Sequence, residues 1–449
     1  MIRFLMDKIA PWFENGKPLH FAHPAYDAID TFLYTSKETT KGSVHVRDSL
    51  CLKRTMTTVM IALFPCILMA MYNTGYQALR VLHAGGIPQE VAFPATFSFA
   101  LWHEWLYGLL INGTSGININ LPYFDGGGLV NMNPGNILSC FVYGAIFFLP
   151  IYIVTFVVGI LWEWLFAAFR GHEINEGFFV TSLLLPLTLP PTIPLWQVAV
   201  AITFGVVIAK ELFGGTGRNF INPAIAARAF LFFCFAQQIS GDGLWYAIPS
   251  DLWKQLAVDG ISGATPLALA MNGGMDGIRE LASAEHLTEM QYWFNSFFGF
   301  IPGSMGETSV LCCFIGAALL VYTGIGSWRI MGSLLVSSML MAFLFYFLYA
   351  TGHVTNPVYG IFPHWHFVLG GLAFGAIFMA TDPVTSSMTY TGQFIYGALI
   401  GVVIMIVRCI NGAYPEGVML AILFGNVCAP LIDYFIVQAN IRRRALRNV

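Results

Sequence analysis

Thr265 closes the small-residue run Ser262, Gly263 and Ala264, six positions after Asp259 and just before Pro266. A hydroxyl on such a tip can act as a nucleophile inside another enzyme's active site, because no bulky neighbour blocks its approach. Taken alone, SGAT is also a very common turn. A second polar stretch, FGGTGRNFINP over 213–223, sets Gly217, Arg218, Asn219 and Asn222 directly before an apolar run. Its amides can face an anion or a planar polar ring, or its glycines can simply let two helices pack closely. No strand precedes it and no Lys–Ser/Thr pair follows, so it is neither of the usual nucleotide fingerprints. Glu163 in LWEWLF, Asp382 in ATDPV and Asp433 in PLIDYF stand inside apolar runs. There a carboxylate is costly and commonly functional, unless it snorkels or caps a helix.

These groups must be positioned by a membrane protein. Of 449 residues, 57% are hydrophobic before the 45 glycines are counted, and only 10% are charged. Soluble domains average ~45–50% apolar with glycine included and ~25% charged. Mean hydropathy is +0.68. The 21 basic and 24 acidic residues leave a net charge of -3, which offers no long basic face for phosphates and excludes nucleic acid as a partner. The eight cysteines contain no CxxC, and most lie in apolar runs, where a thiol behaves as a small hydrophobe. His364 and His366 flank Trp365 beside an apolar run and read as an interfacial belt. Residues 1–54 lack the apolar core of a signal peptide and read as a cytoplasmic extension.

A helix crossing ~30 Å of hydrocarbon needs about 20 apolar residues. The sequence predicts ten spans: 55–76, 137–168, 178–193, 195–213, 223–237, 309–326, 330–349, 365–381, 394–410 and 418–437. The apolar stretch 98–111, with His103 and Glu104, reads as interfacial or re-entrant. Lys53, Arg54, Arg170, Lys210, Arg218, Arg329 and the arginines at 442–444 and 447 place both termini in the cytoplasm. The acidic stretch 241–306 then lies outside. The fold expected is an all-α integral membrane protein of about ten transmembrane helices, a five-plus-five inverted repeat with broken helices at 178–195 and 213–223. The divisions are 1–54 (extension), 55–240 (first membrane half), 241–306 (outer loop), 307–438 (second half) and 439–449 (basic tail).

HVRDSLCLKR, HEINEGFFVTSLLLPLTLPPTIPLW, FGVVIAKELFGGTGRNFINPAIAARAFLFF, DGISGATP, IPGSMGETS, FMATDPV and AYPEGVMLAILFGNVCAPLIDYF together resemble the NqrB/RnfD family. These are membrane subunits of bacterial redox-driven sodium pumps and of their Rnf relatives. The resemblance spans nearly the whole chain, and the long N-terminal segment favours the NqrB side, that of the sodium-translocating NADH:ubiquinone reductase. It implies covalent FMN on Thr265, since DxxSGAT is the pattern at which a flavin transferase joins FMN to threonine through its phosphate. It also implies riboflavin near the cytoplasm, with Gly217, Arg218, Asn219 and Asn222 as contacts. Electrons would pass from FMN through riboflavin to ubiquinone. The implied quinone site comprises Gly159, Glu163, Glu173, Glu176, Gly177, Phe178 and Phe179, and the implied sodium-uptake carboxylates are Asp27, Glu163, Asp382 and Asp433. Asp27 stands where the family has Glu, and the loop over 249–258 is longer than the family's. The implied partners are membrane lipid and the A, C, D, E and F subunits of a six-subunit complex in the bacterial inner membrane.

Two other readings fit some of the same features. Ten spans with broken helices also describe a flavin-free transporter or channel, which retained yellow fluorescence in a denaturing gel would exclude. An Rnf-complex D-type subunit shares SGAT but would come with different copurifying partners.

Overall fold

The computed structural model describes residues 8–13, 17, 20–24, 26, 30, 52–84, 134–171, 174, 177–240, 244–248, 263–410 and 416–447, and these contain helices and no strand. The long helices are α1 Leu52–Ala84, α2 Ile137–Arg170, α9 Trp328–Ala350, α11 Tyr390–Ile410 and α12 Val418–Ala445. Shorter ones are α3 Gly177–Leu187, α4 Leu195–Thr203, α5 Pro223–Cys234, α6 Pro266–Ala284, α7 Glu289–Phe298, α8 Val310–Tyr322 and α10 Pro363–Val368. Among the described residues, six segments are long and apolar enough to span a bilayer, with mean hydropathies of 1.6 to 2.4, and α3, α5 and α8 are shorter apolar helices. Exposed stripes such as Ile61, Phe64 and Leu68 on α1, and Val336, Leu340, Phe343 and Phe347 on α9, recur at helical spacing and suit lipid contact. The chain is an all-α integral membrane protein.

Caps in the sequence set the boundaries. The Asn136 side chain accepts from Leu138 N at 3.1 Å at the start of α2, and Gly171 closes that helix in the left-handed region at φ 68°. Small residues set the crossings. A Cβ on Gly144 of α2 would lie 1.7 Å from the Met71 carbonyl oxygen of α1. On α11, Gly397 and Gly401 meet the backbone of α9 in the same way, a small-xxx-small contact.

The irregular segments follow a common order in the two halves. α3 runs into Thr188-Leu-Pro-Pro-Thr192, and a broken segment made of α10, the turn Leu372–Phe374 and the π-helix Gly375–Met379 runs into Thr381-Asp-Pro-Val-Thr385. Each lies third in its half. The backbone freed at each break is satisfied by a buried arginine, as hydrocarbon depth demands. Arg228 of α5 donates to Thr188 O, while Arg408 of α11 donates to His366 O at 2.7 Å and to Leu369 O at 3.0 Å.

Several expectations change in detail. The span expected over 365–381 is interrupted after Val368, and the one over 223–237 breaks at Phe235. The stretch 241–306 is more than a loop, since it contains α6 and α7, the latter started by a Thr288/Gln291 capping box. His366 is buried rather than interfacial. The stretch 98–111, the loop over 249–258 and most of residues 1–54 lie outside the described residues.

Candidate functional site

Two clefts have no lining residue in common, and α5 lines only the first. The first is an open cleft of about 700 Å³, its mouth included, between one face of α3 (Gly177, Val180, Thr181, Leu184) and the segment that carries Lys210, Thr216, Asn219 and Asn222, with Phe378 and Asp382 completing it. The polar segment begins where α4 passes into the π-helix Phe204–Ile208, a distortion that often accompanies function. Asn222 is the N-cap of α5: its oxygen accepts from Ala224 N at 3.0 Å, and its amide donates to Asp382 Oδ2 at 3.3 Å. Asp382 also accepts from Val384 N (3.2 Å) and Thr385 Oγ1 (3.0 Å). Asn219 accepts from Gly217 N at 3.3 Å and donates to Ile221 O at 3.1 Å. Gly217 and Arg218 are exposed and do not line the cleft. Thr216 Oγ1, which is buried, has no hydrogen-bond partner among the described residues. Volume, apolar wall and a few convergent amides suit a planar heteroaromatic ligand.

Behind this wall the charges pair. Lys210 Nζ binds Glu163 Oε1 of α2, and both side chains are 4% exposed. One residue on, the Glu211 carboxylate lies 3.6 Å from Arg170 Nη1 at the end of α2. Glu163 therefore contacts the cleft through Lys210. Gly159, one turn earlier, faces Phe178: a Cβ there would lie 2.3 Å from the ring. Phe179 packs on Phe156 with ring centroids 5.8 Å apart. Glu173, Glu176 and Asp27 are outside the described residues. Asp433 lines neither cleft. It accepts from Ser387 Oγ (2.7 Å), Met388 N (2.8 Å), Thr389 N (3.1 Å) and Thr389 Oγ1 (2.6 Å).

The second cleft, about 330 Å³, is lined by Thr265, Ser304, Glu307, Thr308, Gly370 and Glu416 among others. Thr265 is the N-cap of α6, its Oγ1 accepting from Ala268 N at 3.2 Å, and it is 7% exposed. It thus sits at a helix start rather than on a free loop tip. A phosphate esterified there would lie at the positive end of the α6 dipole, which favours anions, although Pro266 carries no N–H and Ala268 N already donates to Thr265 Oγ1. Thr308 Oγ1 is buried without a partner among the described residues. Gly263 and Ala264 precede Thr265, whereas Asp259 and Ser262 fall outside the described residues. Arg228, 1% exposed, pairs with Glu307 at 3.2 Å and with Glu416. Asn222, which lines the first cleft, and Arg228, which pairs with two carboxylates of the second, stand six residues or about 9 Å apart along α5.

Arg228, Glu307 and Glu416 escaped the reading of the sequence, and Lys210, read there only as a charge at a span end, is buried and paired. The signal was there for Arg228, a lone charge in PAIAARAFLFF, but attention to intramembrane charge stopped at Glu163, Asp382 and Asp433.

Residues 39–442 match the model of the NQR2, RnfD, RnfE family. Over 449 residues the chain is 48% identical to the B subunit of the Na(+)-translocating NADH-quinone reductase of Azotobacter vinelandii, covering all of both chains. It is 46% identical over 447 residues to the corresponding B subunit of Pseudomonas aeruginosa, and 47% identical over 447 residues to that of Chromohalobacter salexigens. These alignments cover all of this chain and 99% and 97% of those relatives.

Proposed function

The chain belongs to the NQR2, RnfD, RnfE family, and from that premise we propose which of its groups hold flavin, quinone and sodium. It is a membrane subunit of a Na+-translocating NADH-quinone reductase, a reading supported over the Rnf alternative by full-length relatives that carry the name of that enzyme's B subunit. In this reading Thr265 carries FMN covalently at the second cleft, and riboflavin occupies the first, against Asn219 and Asn222. Bound flavins supply one-electron transfer between the complex's NADH-oxidising part and ubiquinone. This chain's residues hold and orient them: α6 offers its N-terminus to the phosphate, and the apolar wall of α3 keeps water from the first cleft. The quinone site is assigned to Gly159, Glu163 and the residues leading into α3, and sodium uptake to Glu163, Asp382, Asp433 and Asp27. The protein lies in the inner membrane with both termini cytoplasmic, together with the A, C, D, E and F subunits.

The observation that carries this reading is Thr265 itself: a buried hydroxyl at a helix N-terminus, opening on a cleft in a full-length relative of the reductase B subunits. Thr265→Ala should abolish in-gel flavin fluorescence of this polypeptide while it still inserts and assembles, and Thr265→Ser should label partially. Undiminished fluorescence in Thr265→Ala would refute the attachment site. For sodium, Asp382→Asn should raise the sodium requirement of quinone reduction at normal flavin content.

A further inference from the structure

Lys210 stands between two groups given separate tasks above. Its ammonium binds Glu163 Oε1, and its side chain also forms part of the wall of the first cleft, with Asn219, Asn222 and Asp382. A buried carboxylate oxygen can hold one monovalent cation closely; a second meets the full repulsion of the first at low dielectric. The residue is well placed to move. It follows the π-helix at a break in the backbone, φ -120° and ψ -65°, before a single 3-10 turn. Four methylenes separate its ammonium from that backbone, so the charge can change partners without moving the chain.

We infer that Lys210 is a tethered competitor of sodium: its ammonium occupies Glu163 when the ion is absent, and sodium binding there displaces it towards the first cleft. The cleft into which it moves is lined by the acceptor side chains Asn219 and Asp382. Among the described residues, the neighbouring Arg170 and Glu211 are paired with each other. No bond is made or broken; one cation replaces another on Glu163, and the displaced one enters the cleft. Linkage makes the effect reciprocal. Sodium on Glu163 adds positive charge to the cleft, and added negative charge in the cleft draws Lys210 inward and opens Glu163 to sodium.

This inference rests on the assignment of Glu163 to sodium, and the test separates the two. The purified complex is assayed for NADH-driven quinone reduction at graded sodium, with flavin content measured in every variant. Lys210→Met, with Lys210→Gln as the milder second variant, should lower the half-saturating sodium concentration roughly tenfold, equivalent to ~1.4 kcal/mol of lost competition. A merely structural lysine would not tighten sodium binding. Glu163→Gln should raise that concentration, and Lys210→Met should have no further effect in the Glu163→Gln background. If Glu163→Gln raises it while Lys210→Met and Lys210→Gln leave it unchanged at normal flavin content, the competitor role is wrong and the sodium assignment stands. If Glu163→Gln leaves it unchanged, both are wrong. An equal drop on adding Lys210→Met with and without Glu163 would place the lysine's action elsewhere and also overturn the inference.

Discussion

Arg228 ties together three separate parts of this molecule with one side chain. It donates to the carbonyl freed where α3 breaks at Thr188, and it pairs with Glu307 and Glu416 in the wall of the second cleft. Removing it would leave Glu307 and Glu416 without their paired cation and the Thr188 carbonyl without its donor. Breaking a buried pair costs about 3–5 kcal/mol, which is a large part of a typical fold's margin. Arg228→Met should therefore lower the yield and the melting temperature of the complex. An unchanged melting temperature would mean that the pairs contribute nothing. Arg228→Lys keeps a charge but loses the fork that reaches several acceptors at once, so an intermediate loss is expected. Asp433 shows the opposite balance. Four donors already converge on it from 387–389, so Asp433→Asn should disturb that segment as well as any ion. Its effect on melting temperature should exceed that of Asp382→Asn.

At the scale of elements, Gly159 links α2 to α3. A larger side chain there would drive into the Phe178 ring, and Phe178 begins the helix whose next turn lines the first cleft. Gly159→Val should weaken quinone-like inhibitors. If the effect passes through the displaced ring, Phe178→Ala in the same chain should restore much of the sensitivity. No restoration would point to direct contact between Gly159 and the inhibitor. The long helices were legible in the sequence because twenty apolar residues have few other uses. α3, α5 and α8 were legible as apolar runs, but their true ends were not. The breaks after α3 and in α10 rest on Arg228 and Arg408, which lie far along the chain from the carbonyls they satisfy. Thr265 was found by its motif, and Pro266 after it is the ordinary mark of a helix start, a signal that was present and left unused. The pairing of Glu163 with Lys210 joins residues 47 apart, and no spacing in a single sequence announces it.

At the scale of the whole molecule, two clefts with separate linings are linked through one short helix, α5. Asn222 caps α5 at the first cleft, and Arg228 secures the second from the middle of the same helix. The Thr-x-Pro-x-Thr turns repeat this relation, one at the break that Arg228 stabilises and one, through Asp382, in the first cleft itself. With the proposed flavins bound, such an arrangement would leave the contacts that hold each of them distinct. Their occupancies should then be separable. Thr265→Ala should remove the covalent flavin and leave the acid-extractable riboflavin of the complex in place. Asn222→Leu removes the Asp382 contact and the cap of α5, a loss of about 1 kcal/mol for the cap alone, and should deplete extractable riboflavin while Thr265 stays fluorescent in the gel. The measurement is the ratio of extractable to covalent flavin in each purified variant. Parallel loss of both flavins in Asn222→Leu, with the complex still assembled, would show that the two clefts form one site.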